Sequence, residues 1–173
     1  MTHDTEQDRP LVPRAEWLAA LPRHYIAAAV LVTDPDGRVL LLEPTYRDGH
    51  LLPGGAVDAG EDPRSAAARE LAEETGLRLP AEAPLLDVDW RPADPDMDGE
   101  MAAPVLQFVF DGGTIHADTD LALDNESRSW RWATLAQAAV LQGPAGHARV
   151  LRAVEARQRG GTGYGVSARG AVD

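Results

Sequence analysis

The chain has no cysteine and no lysine. Lack of cysteine excludes disulfides, thiolate metal sites and cysteine nucleophiles. Lack of lysine excludes Schiff-base chemistry and the P-loop lysine, and all 16 basic residues are arginine. Positive charge is scarce too: 16 arginines face 28 acidic residues, for a net charge of −12. That balance opposes general binding to nucleic-acid backbones or anionic membranes. An anionic substrate therefore needs a local counter-charge, from arginine or from a metal ion. Long apolar runs are missing as well. The longest, Ile26 to Val32, is far too short to span a bilayer. The opening MTHDTEQDRP is acidic and polar, unlike a secretory signal, and the expectation is a cytoplasmic protein without membrane partners.

What is present fits one domain with modest tails. The 173 residues can bury a proper core, and 44% hydrophobic with 25% charged residues is ordinary for a globular protein. Residues 1–22 read as a partly ordered N-terminal extension, with a short helix at RAEWLAAL (14–21) ended by Pro22. YIAAAVLVT (25–33) and RVLLLEP (38–44) read as strands joined by DPDG (34–37), a type I turn signature with proline second and glycine fourth. Further strands are expected at LLDVDW (85–90), VLQFVFDG (105–112) and around Ser129–Trp132. Helices are expected at 133–141 and 145–159, the second with Val150, Leu151 and Val154 on one face. The acidic, proline-bearing connection 91–104 has the length of a functional or disordered loop. Residues 159–173 are glycine-rich and read as a mobile tail. The whole is an α/β chain with its folded body at 23–158.

One helix carries an unusual charge pattern. Asp62 is placed to cap it, Pro63 suits its first position and Gly76 its end. Periodicity puts Ala67, Ala68, Leu71, Ala72 and Thr75 on the inward stripe. Glu70, Glu73 and Glu74, three and four residues apart, share another sector, with Arg69 four residues before Glu73. Like charges so spaced cost roughly 0.2–0.5 kcal/mol per pair in an isolated helix. A hard divalent cation would cancel that repulsion, take oxygen ligands and neutralise an anionic substrate. The plainer reading is a solvated acidic face, and the spacing alone leaves it ahead.

The longer stretch 55–77, GAVDAGEDPRSAAARELAEETGL, reverses that order. It resembles the Nudix box, G-x5-E-x7-R-E-U-x-E-E-x-G-U, at Gly55, Glu61, Arg69, Glu70, Leu71, Glu73, Glu74, Gly76 and Leu77. On those nine positions the chain is similar to the Nudix hydrolase family, MutT-like. The resemblance implies an α/β/α sandwich with a mixed β-sheet and the box as a loop–helix–loop. It implies Mg²⁺- or Mn²⁺-dependent hydrolysis of a nucleoside diphosphate linked to another moiety, such as a nucleoside triphosphate, ADP-ribose or a nucleotide sugar. By position it makes Glu70 and Glu74 the principal metal ligands, Glu73 a direct or water-mediated ligand and the Gly55 carbonyl a main-chain ligand. Arg69 would orient the glutamates, and Glu61 would serve at the edge of the site, brace its loop or simply favour the helix N-terminus.

Outside the box the residues are less informative. Glu126, six residues before Trp132, is the candidate outlying ligand or base, with Asp124 and Glu100 as competitors. Arg47 is the candidate phosphate contact, His50 stands where relatives often carry a large residue, and Trp90 or Trp130 would either stack on a base or pack. Pro92 and Pro95, in the loop after the box, do not assign a substrate. The expected partner is a nucleotide-derived small molecule, and a homodimer is compatible with the resemblance. The alternative is a catalytically silent Nudix-like module that binds or regulates. The intact glutamate set argues for the enzyme, because a binding module has no need of the repulsion.

Overall fold

The computed structural model describes residues 12–93 and 103–167. Glu100 and Pro95 lie outside that range. The elements in chain order are α1 (Arg14–Ala19), β1 (Tyr25–Thr33), β2 (Val39–Pro44), β3 (Gly54–Ala56), α2 (Pro63–Thr75) and β4 (Leu85–Arg91), followed by β5 (Val105–Thr114), β6 (Ser127–Ala133), α3 (Leu135–Arg159) and β7 (Gly163–Val166). The strands form one mixed sheet in the order β6-β2-β1-β5-β4-β7, with β3 paired to β1. β1–β5 and β4–β7 are parallel pairs and the rest antiparallel.

The hairpin forms as its sequence dictates. The Arg38 carbonyl accepts from Asp34 N–H and the Asp34 carbonyl from Gly37 N–H, closing DPDG between β1 and β2. Residues Ala28 to Val32 are buried on both faces of the sheet, which is why β1 is continuously apolar instead of alternating. On one face Leu31, Leu41, Leu86 and Val109 pack with Val150, Ala153 and Ala156 of α3. On the other, Val30, Val32 and Leu40 pack with Ala66, Ala67 and Leu71 of α2. This is the α/β/α sandwich implied by the box.

Three details depart from the sequence reading. In α2 the buried residues are Ala66, Ala67, Leu71 and Thr75, while Ala72 is exposed; alanines on every side of a helix give periodicity too little contrast. The helices expected at 133–141 and 145–159 form one element broken at Gly143–Pro144, and the buried side of its second part is Arg149, Val150, Ala153 and Ala156. Residues 163–166 are no tail: they pair with β4 as an edge strand. Glycine is what lets that strand in, because a Cβ on Gly165 would overlap the Arg152 guanidinium. The short helix at 14–19 forms as expected, and none of its residues is buried.

Candidate active site

The site grows from the junction of β3 and α2. Asp62 caps α2 by accepting from the backbone N–H of Arg64 and Ser65, Pro63 starts it and Gly76 closes it in the left-handed conformation. The helix is thereby pinned at both ends, one face on β1 and the flank with Glu70 and Glu74 against β3. Gly54 N–H donates to Glu74 Oε2 at 2.7 Å. Gly55 lies under Glu70, whose carboxylate a Cβ there would overlap. A Cβ on Gly54 would likewise overlap the Ala28 backbone. The paired glycines therefore let a strand, a helix and two carboxylates share one corner.

Arg69 is the hub of the outer flank. Its Nε and Nη2 donate to the two Glu61 oxygens at 3.2 and 3.1 Å, and Nη2 also donates to the Ala56 carbonyl at 3.1 Å. Its Nη1 donates to Glu70 Oε1 at 2.8 Å and to Glu73 Oε2 at 3.1 Å. These contacts hold its guanidinium above the ordinary arginine range, the Glu61 bond foremost. Glu61 also accepts from Asp58 N–H, so it braces the loop that enters α2.

The three helix glutamates of the box, Glu70, Glu73 and Glu74, do not converge on one point. Arg69 draws Glu70 and Glu73 outward, and the Glu73 side chain is 57% exposed. Glu74 turns the other way, to Gly54. Among the described residues no three acidic or histidine side chains already stand together as a metal would hold them. The corner is nonetheless short of positive charge. Burial raises the Glu70 carboxyl, Arg69 lowers it, and Glu73 and Glu126 raise it further. Among the described residues Glu74 has no cation beside it: burial, then the charges of Glu70, Asp124 and Glu126, push it up to about 8 against the Gly54 hydrogen bond. Buried oxygen donors, a surplus of negative charge and a glycine backbone under one carboxylate fit a hard divalent ion.

The outlying candidates separate clearly. Asp124 Oδ1 accepts from the backbone N–H of Glu126 and Ser127 at 3.0 and 3.2 Å, which fixes the turn ahead of β6. The Glu126 carbonyl accepts from Thr45 N–H at 2.7 Å, tying this turn to the loop after β2. Both carboxylates thus lie within the electrostatic reach of Glu74, with Glu126 exposed. Arg47 is exposed, and donates at 3.5 Å to the neighbouring Asp48 carbonyl rather than to any glutamate. His50 is 8% exposed with both ring nitrogens unpartnered, and burial and then Arg131 lower its pKa, so it packs as a neutral ring. Trp130 meets Trp132 edge-on at 6.1 Å and packs on the α2 side. Trp90 is half-buried on β4.

Tyr46 is not among the residues that the sequence singles out. It is 67% exposed and sits beside Arg47 in the loop tied to Glu126. The carboxylates of Glu74, Glu126 and Glu70 lie within electrostatic reach of its phenol. Its place next to Arg47, just ahead of the Pro53-Gly54-Gly55 entry, is the signal that could have found it. The box likewise points to Gly55 and not to Gly54, although the Gly54 N–H is the one that holds Glu74.

The sequence pattern of the NUDIX domain family matches residues 23–154. The chain belongs to the Nudix family. An octanoyltransferase of Myxococcus xanthus is 38% identical over 117 residues, 64% of this chain and 30% of that protein. An RNA pyrophosphohydrolase of Sphingopyxis alaskensis is 29% identical over 126 residues, 64% of this chain and 77% of that protein. The chain spans about a third of the length of the first curated relatives it matches. The crystal structure of a C. elegans Ap4A hydrolase binary complex superposes with a TM-score of 0.62 at 23% identity, covering 79% of this chain and 98% of that one. At that identity the likeness establishes the Nudix fold alone. No helix among the described residues is long and apolar enough to cross a membrane.

Proposed function

We propose that this Nudix chain hydrolyses a diphosphate bond of a nucleoside diphosphate linked to another moiety, in a reaction that requires Mg²⁺ or Mn²⁺. The observation that carries the reading is Glu74, a largely buried carboxyl with no cation partner among the described residues, pushed up to about 8 among Glu70, Asp124 and Glu126. Arg69 reaches Glu70 but not Glu74, and a corner left asking for positive charge is suited to a metal and its phosphate ligand. Glu70, Glu74 and the Gly55 carbonyl would hold the ion, with Glu73 direct or through water. When bound, the ion would polarise the phosphoryl oxygens and lower the pKa of a ligated water.

The chain's own residues have separable tasks. Arg69 positions Glu70 and Glu73 while it is itself anchored on Glu61 and the Ala56 carbonyl. Arg69 thereby limits how far Glu70 and Glu73 can swing before metal and substrate arrive. Glu126, exposed and near Glu74, is the proposed base: it takes a proton from the attacking water as the water oxygen bonds to phosphorus. The bridging P–O bond breaks and its electron pair leaves with the second phosphate. Tyr46 and Arg47 form the rim over which the substrate enters. The substrate class is a nucleoside triphosphate, ADP-ribose or a nucleotide sugar, met in the cytoplasm.

A panel of those compounds and dinucleoside polyphosphates, incubated with the full chain and Mg²⁺ in ¹⁸O-water, tests the reading. Label should enter a product phosphate of at least one compound. Tight binding of a compound without any label incorporation would replace hydrolysis with a silent binding role.

A further inference from the structure

We propose that Arg91, Arg149 and Arg47 form an anion subsite holding a phosphate of the substrate that lies outside the diphosphate being cleaved. The inference rests on the hydrolase reading of the glutamate corner and narrows its substrate to nucleotides that carry such an additional phosphate.

On the α3 side of β4 the charges do not balance. Asp87 and Asp89 point there and are fully buried. Arg152 binds Asp87 through Nε and Nη2 at 3.0 and 2.9 Å and Asp89 Oδ1 at 2.6 Å. Asp89 Oδ2 accepts from Arg149 Nη2 at 3.0 Å and from Ser167 Oγ at 2.6 Å. All four aspartate oxygens are therefore engaged. Arg149 is 9% exposed, and its Nε–H is buried without an acceptor among the described residues. Arg91 follows Asp89 by two residues, so its side chain leaves β4 on the same face. It is half-buried, and among the described residues it makes no ion pair.

Arg47 approaches from the loop after β2. That loop is pinned to α3 where His50 N–H donates to the Leu141 carbonyl at 2.9 Å. The guanidinium of Arg91 is held below the ordinary arginine value by burial first, then by the charges of Arg149 and Arg47, with Asp89 acting the other way. Among the described residues Arg91, Arg149 and Arg152 stand with Asp87 and Asp89 on this face, three positive charges to two negative, and Arg47 acts on Arg91 from its loop.

Half-buried like charges are costly unless an opposite charge joins them. Arginine forks match phosphate oxygens two at a time, and the field of an acidic protein leaves few other places where a phosphate is welcome. The subsite is also connected to the chemistry. The loop that carries Arg47 carries Tyr46, which lies in the field of Glu70 and Glu74. One substrate spanning that loop can place a diphosphate on the glutamate corner and a second phosphate on the arginines.

The test uses Arg91→Gln, because Arg149 also ties α3 to β4. Thermal melts of the full chain in EDTA are recorded against inorganic phosphate, with sodium chloride matched for ionic strength. Phosphate should raise the melting temperature of the wild type, act only weakly on Arg91→Gln and Arg47→Ala, and act intermediately on Arg91→Lys. Equal stabilisation of all four proteins by phosphate, or none of the wild type, overturns the subsite. With turnover established, ADP-ribose and its 2′-phosphate derivative are compared. Arg91→Gln should reduce the preference for the phosphorylated compound roughly tenfold in kcat/KM, and an unchanged ratio counts against the proposal. A wild type that hydrolyses nothing defeats the hydrolase reading, while the phosphate melts still decide the subsite.

Discussion

Glu74→Gln should make the metal-free protein more stable at alkaline pH while removing its activity. In the wild type the Glu74 carboxyl is raised from 4.5 to about 8 because burial and three neighbouring carboxylates oppose its ionisation. A group whose folded pKa is raised contributes stability that is whole below the unfolded value and is lost as pH climbs to the folded value. The window is therefore about pH 4.5 to 8, and within it the native state gives up a proton unwillingly. A tenfold change in proton affinity between the folded and unfolded chain is worth about 1.4 kcal/mol. Because the side chain keeps some solvent contact, the full difference is discounted to a loss of about 2 kcal/mol across the window. Glutamine carries no charge, and its amide oxygen can still accept from Gly54 N–H. Urea unfolding in EDTA at pH 5.5 and 8.5 measures the effect. The stability of Glu74→Gln relative to wild type should improve by about 1.5 kcal/mol between those two values, since the part of the window below pH 5.5 is not sampled. An identical difference between the two proteins at both pH values would refute the electrostatic origin of the effect. Metal-dependent turnover of the variant should fall on the order of 100-fold or more.

Other outcomes follow from neighbouring contacts. Arg69→Ala should lower kcat roughly 10–100-fold, and Arg69→Lys should restore little, since an ammonium cannot span Glu61, Glu70, Glu73 and Ala56 together; steady-state kinetics of both variants decide it. Gly165→Ala should lower stability by about 1–3 kcal/mol by driving a methyl into Arg152, with near-normal kcat; loss of activity at unchanged melting temperature would contradict that role for β7. Glu126→Gln should flatten the acid limb of the kcat profile if Glu126 is the base, and Asp124→Asn should leave that limb in place. An unaltered limb in Glu126→Gln moves the base elsewhere.

Where the sequence speaks clearly, the information is local. Asp62, Pro63 and Gly76 bound α2, and DPDG closes the hairpin, because caps and turns depend on neighbours in the chain. The box positions are legible for the same reason: one helix and its entry loop carry them. What cannot be read comes from elements far apart. Asp87 and Asp89 alternate on β4 as if facing solvent, yet they face inward because Arg149 and Arg152 arrive from α3, distant in the chain. Gly163 and Gly165 look like linker composition, although a Cβ on the first would overlap the Asp87 carboxylate and on the second the Arg152 guanidinium. Glu73 is equivalent to its partners on a helical wheel, but the Arg69 fork and Gly54 N–H divide the three. Glu126 is a candidate by analogy alone in the sequence, and what the structure adds is a backbone tie from its carbonyl to Thr45 in the loop after β2.

Glu70 and Glu74 are proposed to hold a divalent ion that the reaction needs. The direct measurement is phosphate release from the best substrate of the panel by wild type, Glu70→Gln and Glu74→Gln, each with Mg²⁺ and with EDTA, alongside far-UV circular dichroism. Release is expected from the wild type only with Mg²⁺, and almost none from either folded variant. Wild-type turnover in EDTA, or turnover retained by both variants, would contradict that assignment.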